Sequence, residues 1–407
     1  MRASSPQTVG ILGAGQLGMM LAEAAHALGL RALTFAPEDD APADRVANGR
    51  IRAGYDDNEA LARFAAQIDV ATLEFENIPV SALTRLAAQK LVFPGQQALF
   101  VAQHRLREKT FLAGHGFPLT PFLPVGAPDE LPCAFATLGG DACILKTAAF
   151  GYDGKGQYPV SDAAQAEALM RSLSQATCVD RGPWVLERRV DFMAECSMIA
   201  ARRVIPGQDA CDITHFGLIE NHHRAGILDW SMSPALSLAD LEETAAKLTG
   251  DLMAALDYTG ILCVELFVTR DRRLLINEIA PRVHNSGHLT REGFVDSQFA
   301  CHLQAGCGLA FGPVVRRAPA AAMVNLLGDL WFAGANAAPQ EPDWTALKAF
   351  PDAALTLYGK PEARSGRKMG HLVVTGEHPH ACVAQALAAR EALTATAATA
   401  ASQSRCP

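Results

Sequence analysis

Two glutamates lie in consecutive apolar segments, Gly260–Arg270 (GILCVELFVTR) and Arg272–Ala280 (RRLLINEIA). Each segment reads as a strand, a short apolar run bounded by polar turn residues. A hairpin turn centred between Asp271 and Arg272 places Glu265 opposite Glu278, with Cβ atoms about 5 Å apart on one face of the sheet. Two carboxylates that close repel, and burying them unpaired costs several kcal/mol each. A divalent cation removes that cost, and Mg²⁺ is commonly held by one or two carboxylates against substrate phosphates. The pair therefore predicts a metal–nucleotide site on a β-hairpin. The competing expectation is a solvated edge strand, because Asp271-Arg272 is not a favoured hairpin turn.

Other residues could serve such a site. Lys146 ends an apolar strand, where its ammonium either reaches phosphate oxygens or snorkels to the surface. The loop Gly151-Tyr152-Asp153-Gly154-Lys155-Gly156-Gln157 offers backbone N–H groups and one cation to a phosphate chain, or is a plain turn at Asp153-Gly154. Glu187 ends a strand and is followed by Arg188, Arg189 and Val190, an edge for adenine or ribose unless it is solvated. Arg282, His284 and Asn285 directly follow the second glutamate strand and reach the same end of the sheet. His284 and His288 would need a helix to share a zinc ion, and Asn-Ser-Gly breaks one. His222-His223 reads as a polar loop. Lys360, Arg367 and Lys368 flank a Ser-Gly turn, either as a solvated hairpin tip or as a phosphate clamp.

The elements that carry these residues fall into three segments. Up to about residue 118, strands (Thr8–Gly13, Arg31–Phe35, Val70–Phe75, Leu91–Phe93) alternate with helices, the pattern of a doubly wound parallel sheet. Gly13-Ala14-Gly15-Gln16-Leu17-Gly18 follows the first strand, and Glu38, Asp39 and Asp40 follow the second. That arrangement fits a dinucleotide fold and supports a rival reading as a nicotinamide-dependent oxidoreductase. A helix bearing Arg105 and Lys109 on one face leads into a proline-rich stretch. Residues 119–312 read as mixed α+β, including a long helix over Ser237–Leu256. Residues 313–407 form a small third domain ending in an alanine-rich tail.

Composition sets the class. The 407 residues are 49% apolar and 19% charged, enough for sizeable cores, and the net charge of −8 argues against a non-specific nucleic-acid binder. No apolar run approaches the length of a membrane span, and no signal-peptide pattern is present. The ten cysteines include no C-x-x-C pair, so a structural zinc site is not expected; several lie in apolar runs, as buried free thiols do, and a reducing cytoplasm is the expected setting.

Together, a strand lysine, a glycine flap, a strand-end glutamate, a Glu…Asn-Glu hairpin and a following Arg-x-His-Asn resemble the ATP-grasp superfamily. Within it the chain resembles the N5-carboxyaminoimidazole ribonucleotide synthase family, through GAGQLG (13–18), LEFENIP (73–79), QHRLREK (103–109), GYDGKGQ (151–157), NEIAPRVHNSGH (277–288) and GRKMGH (366–371). The resemblance implies an ATP-grasp fold with an N-terminal Rossmann-like domain and a small C-terminal domain. It implies ATP contacts at Arg105, Lys146, the loop Gly151–Gln157, the stretch Glu187–Val190, Glu195, His223, Asn277 and Glu278. It implies Mg²⁺ ligands at Glu265 and Glu278, one or two ions, with Mn²⁺ as a substitute. Gly15, Gln16, Leu17, Glu76, Tyr152, Lys360, Arg367 and Lys368 would bind the ribonucleotide. Arg282, His284, Asn285 and Lys155 would act in catalysis. The implied reaction is ATP-dependent carboxylation of 5-aminoimidazole ribonucleotide by bicarbonate in purine biosynthesis, by a cytoplasmic homodimer. Another ATP-grasp carboxylase or a formyl-using ribonucleotide ligase is the alternative, against which PRVHNSGH and GRKMGH argue.

Overall fold

Alternating strands and helices in the first hundred residues wind into a five-stranded parallel sheet. Its spatial order is Gly49–Arg52, Arg31–Ala36, Thr8–Leu12, Val70–Leu73, Leu91–Val92. The structure is a computed structural model and describes residues 7–149, 156–175, 183–204, 211–309, 311–332 and 338–403. Gly151, Tyr152, Asp153, Gly154 and Lys155 of the glycine flap lie outside the described residues. The central strands are continuously apolar because helices cover both faces. Gly49–Arg52, whose GRIR sequence gives no strand signal, occupies the edge, where arginines stay solvated.

The glycine motif opens the helix Gln16–Ala27, but its function differs from the dinucleotide expectation. The backbone N–H groups of Gly15 and Gly18 both donate to the Glu74 carboxylate, Gly18 at 2.6 Å. A Cβ on Gly13 would collide with Glu74 Cγ, and one on Gly15 would lie 2.7 Å from Glu74 Oε1. The glycines therefore admit an internal carboxylate to the positive end of the helix. A cofactor pyrophosphate would need the same N–H groups, so the nicotinamide reading loses its motif.

Two antiparallel sheets form the rest. The smaller has the order Phe122–Val125, Trp184–Arg188, Cys143–Thr147, Gln157–Val160. Phe122–Val125 comes from the proline-rich stretch and lies at an edge, where Pro124 is tolerated. The larger has eight strands: Leu274–Ala280, Gly260–Thr269, Phe192–Val204, Cys211–Arg224, Ile227–Ser233, Ala320–Leu327, Lys368–Gly376 and Ala353–Leu357. It crosses from the second segment to the third through the pairing of Trp230 with Val324.

Two local expectations are corrected. His222 and His223 lie within the Cys211–Arg224 strand rather than a loop, and His222 stacks on Trp230. The helix expected over Ser237–Leu256 divides into a 3₁₀ turn at Leu236–Leu241 and an α-helix at Glu242–Ala255. The alanine-rich tail forms the helix Pro379–Gln403, which buries Val383, Ala386, Ala389 and Leu393 against the larger sheet. Among the described residues no helix is long and apolar enough to cross a membrane.

Candidate active site

The hairpin reaches the expected pairing by an unexpected route. The turn is centred on Asp271: Thr269 N–H donates to Arg273 O at 2.9 Å, and Arg272 takes the left-handed conformation at φ 59°. Leu266 therefore pairs with Ile276, one residue out of the register that the sequence predicts. A β-bulge at Asn277 then absorbs one residue, so Glu265 pairs with Glu278. The bulge brings Asn277 and Glu278 to the same cavity, and Asn277 Oδ1 is buried with no partner among the described residues.

Neither carboxylate is unpaired. Arg105 donates to Glu278 Oε2 at 2.8 Å, and His284 Nε2 lies 3.0 Å from Glu265 Oε1. Burial alone would push the Glu265 carboxyl up, but the His284 hydrogen bond and the cations His223 and Lys368 hold it below the usual carboxylate range. No described cluster of three or more His, Cys, Asp or Glu could hold a metal. Two opposed carboxylates beside an unpartnered amide oxygen nevertheless suit an ion that completes its shell with substrate phosphates.

These residues line a cavity of about 720 Å³ between the three sheets. One wall is a cationic shelf. Lys146 Nζ donates to Glu187 at 2.9 Å, and Lys109 Nζ lies 3.3 Å from the same carboxylate oxygen. Lys109 and Glu187 are almost fully buried. Burial raises the Glu187 pKa, but the two ammonium groups outweigh it and the net direction is down. Ile144, Gln157, Phe192, Glu195 and Phe267 border the shelf, and His223 Nδ1 meets Glu195 at 3.0 Å. Gly156 takes φ 70° in the turn before Gln157.

The opposite wall joins the N-terminal sheet to the segment after the hairpin. Gln16, Leu17 and Glu76 line it; Glu76 accepts from Arg282 Nε. Burial lowers the Arg282 guanidinium and the Glu76 carboxylate raises it, with a net rise. His284 and Asn285 sit beside Arg282, and both amide atoms of Asn285 are buried without a partner among the described residues. His288 also lines the cavity, its ring stacked on Phe299.

Some expected residues do not reach this cavity. The Glu187 carboxylate lies beneath Lys146 rather than on the cavity surface. Arg188, Arg189 and Val190 line a separate cavity of about 580 Å³ beside the hairpin turn. Gly15 presents its N–H to Glu74. Of the basic trio, only Lys368 lines the main cavity; Lys360 donates to Lys368 O at 2.7 Å and Arg367 to Glu362 O at 2.7 Å.

The structure also adds residues. Gln103 donates to Glu76 O at 2.7 Å and fixes the loop that carries Glu76. Glu108 lines the cavity fully buried, and burial, followed by the Glu278 charge, pushes its carboxyl up to about 8. Both belong to the QHRLREK segment; helical spacing from Arg105 was the available signal for Glu108, whereas Gln103 precedes the helix Arg105–Gly114.

Comparisons with known proteins agree with this architecture. Residues 6–103 match the ribonucleotide synthetase preATP-grasp domain, 110–299 the ATP-grasp domain, and 321–385 the phosphoribosylaminoimidazole carboxylase C-terminal domain. The N5-carboxyaminoimidazole ribonucleotide synthase of Brucella melitensis is 42% identical over 365 residues, covering 90% of this chain and 95% of that protein. The N5-carboxyaminoimidazole synthetase of Staphylococcus aureus, solved with ADP, superposes with a TM-score of 0.84 at 32% identity, covering 94% of this chain and 97% of that one. The synthase of Aspergillus clavatus, solved with ADP and 5-aminoimidazole ribonucleotide, gives 0.82 at 27% identity, covering 96% and 99%. The domain sequence and the length of the match agree in one conclusion: the chain belongs to the N5-carboxyaminoimidazole ribonucleotide synthase family, within the ATP-grasp ligases.

Proposed function

We propose that the cavity binds ATP between the cationic shelf and the Glu265–Glu278 hairpin. 5-Aminoimidazole ribonucleotide then lies against Gln16, Leu17, Glu76 and Lys368, with bicarbonate between the two beside Arg282, His284 and Asn285. As a family member the chain is an ATP-dependent carbon–nitrogen ligase. The observation that carries the assignment is the bulge at Asn277, which aims two carboxylates and an amide oxygen at the point where the two walls converge.

The chemistry follows from what bicarbonate lacks: its carbon is a poor electrophile. A bicarbonate oxygen attacks the γ-phosphorus of ATP, the bond to ADP breaks, and carboxyphosphate results. The ribonucleotide amine then attacks the carboxyl carbon, directly or as trapped CO₂, phosphate leaves with the bridging oxygen, and the amine loses a proton. The protein supplies position and positive charge, as in other phosphoryl transfers. Lys146 and Arg105 face the phosphates. Arg282, made permanently cationic by Glu76, and the Asn285 amide bind the bicarbonate oxygens. Glu265, Glu278 and Asn277 Oδ1 would hold Mg²⁺, with Mn²⁺ as a substitute, which when bound neutralises β- and γ-phosphate oxygens. Carboxyphosphate hydrolyses readily, so its site must exclude water. The same reading divides the chain at 118 and 312 and makes it a cytoplasmic homodimer. The test is ADP formation with bicarbonate and 5-aminoimidazole ribonucleotide omitted in turn; full turnover without either removes the assignment.

One expected result follows from the placement of the basic trio. Lys368→Ala should weaken 5-aminoimidazole ribonucleotide binding by about 1.5–3 kcal/mol, the range for a charge-assisted hydrogen bond. Arg367→Ala should change it much less, since that guanidinium faces Glu362. Calorimetric titration of each ligand separately decides this. Equal losses for ATP and the ribonucleotide would return Lys368 to the nucleotide half of the site.

A further inference from the structure

The helix Gln298–Gly306 lines no part of the cavity, yet it carries two fully buried polar side chains one turn apart, Gln298 and His302. Buried polar groups are costly unless each is satisfied. Both are satisfied by the framework of the site. Gln298 brackets the backbone of His284: Oε1 accepts from its N–H at 2.9 Å, and Nε2 donates to its carbonyl at 2.6 Å. His302 spans two strands. Its Nδ1 accepts from the backbone N–H of Ile261 at 3.0 Å, and its Nε2 lies 2.6 Å from Oγ1 of Thr72, which is itself fully buried.

The fit around His302 is close on every side. Gly260 takes φ 107°, and a Cβ there would lie 2.8 Å from His302 Nδ1. Phe93, just past the strand Leu91–Val92, places its ring centroid 5.1 Å from that of the imidazole, and a Cβ on Gly306 would fall on the Phe93 ring. The backbone sets the direction of the hydrogen bonds. A peptide N–H can only donate, so Nδ1 is the acceptor and a neutral ring carries its proton on Nε2, toward Thr72. Burial pushes the imidazole down to about 3, so the ring stays neutral at neutral pH.

These contacts join three parts of the site. Thr72 lies in the strand Val70–Leu73, whose end delivers Glu76 to the ribonucleotide wall. Ile261 lies four residues before Glu265 in the strand Gly260–Thr269. His284 sits beside Arg282 and Asn285. The Glu76–Arg282 ion pair also crosses between these parts, but its residues lie beyond the strand ends. Thr72 and Ile261 lie within strands and share their rigidity. We propose that His302, with Gln298 one turn before it, is a positioning residue that holds the ribonucleotide wall in register with the Glu265 strand, so that carboxyphosphate formed on one side meets the amine on the other. This role rests on the proposed function, and its signature is coupling rather than ATP cleavage. A reacting partner displaced by about 1 Å can cost about 10²-fold in rate, and a labile intermediate kept waiting is lost to water.

The test counts ADP and carboxylated product in the same quenched samples of the full chain, with ¹⁴C-bicarbonate and saturating ATP and 5-aminoimidazole ribonucleotide. Wild type should release one ADP per product. His302→Asn keeps an acceptor near the Ile261 N–H but cannot reach Thr72. Thr72→Val, the milder change, removes the hydroxyl from the other side and carries the test if His302→Asn fails to fold. Both variants should release more than about two ADP per product, because transfer slows while ATP cleavage does not. The KM for ATP should stay within about twofold, as expected when binding of that substrate is untouched. Thr72→Ser, which restores the hydroxyl, should return the ratio to one. A merely structural role would remove ADP and product in equal proportion as the folded fraction falls. A ratio of one in folded Thr72→Val therefore overturns this role and leaves the function reading standing. Wild-type ADP release that never depended on bicarbonate overturns both.

Discussion

Glu278→Gln is expected to lower ADP formation by at least about 10²-fold, the loss seen when one preorganised electrostatic partner of a transition state is removed. The glutamine side chain has the same shape, so the bulge at Asn277 should persist. What disappears is one of the two negative charges that meet across the hairpin. Opposition of two carboxylates suggests at first that the metal-free variant should be more stable. The structure changes that expectation. Glu278 is already neutralised by Arg105 at 2.8 Å, and that guanidinium is largely buried. The amide oxygen can still accept from Arg105, so the melting temperature should fall by no more than a few degrees. Steady-state ADP release and a thermal melt on the same preparation check both parts. Near-normal turnover by a folded variant would remove Glu278 from the ion's shell.

The largest loss of stability is expected at Glu187, a residue that does not touch the cavity. Glu187→Ala leaves the ammonium groups of Lys109 and Lys146 buried without their carboxylate. Breaking a buried ion pair from one side costs about 3–5 kcal/mol. The sign with pH follows from the direction of the shift. The folded carboxyl titrates below its ordinary value, so its contribution is fully present above about pH 4.3, the ordinary glutamate value. It is lost as the pH falls through the lower, folded value. Urea unfolding at neutral pH should show the whole deficit, and acid should narrow it. A variant as stable as wild type at neutral pH would mean that the lysines find other partners, and the cationic shelf would need no central anion.

The site was legible in the sequence where chemistry and strand period act locally. Glu265 and Glu278 oppose each other as expected, although the turn lies half a residue from its expected centre. The bulge at Asn277 compensates for that error, and no local rule announces such a bulge. Arg105 and Lys109 share a helical face because four residues make about one turn; Arg105 reaches the cavity and Lys109 is buried behind it against Glu187. What failed was long-range. The glycine turn gives no hint that Glu74, from the neighbouring parallel strand, fills it. A strand-end glutamate cannot reveal that two lysines from different elements will bury it. The Cys211–Arg224 strand was missed because it ends in five consecutive polar residues, Glu220–Arg224, and so resembles a loop. Its pairing with Ile227–Ser233 delivers His223 to the cavity.

The central claim is that the γ-phosphate of ATP activates bicarbonate inside this cavity. Turnover with ¹⁸O-labelled bicarbonate tests it most directly, with the released phosphate analysed by mass. Attack of a bicarbonate oxygen on phosphorus carries that oxygen into the phosphate, whether the amine meets carboxyphosphate or trapped CO₂. One labelled oxygen per phosphate is predicted, in step with product. Unlabelled phosphate formed alongside carboxylated product would contradict the account.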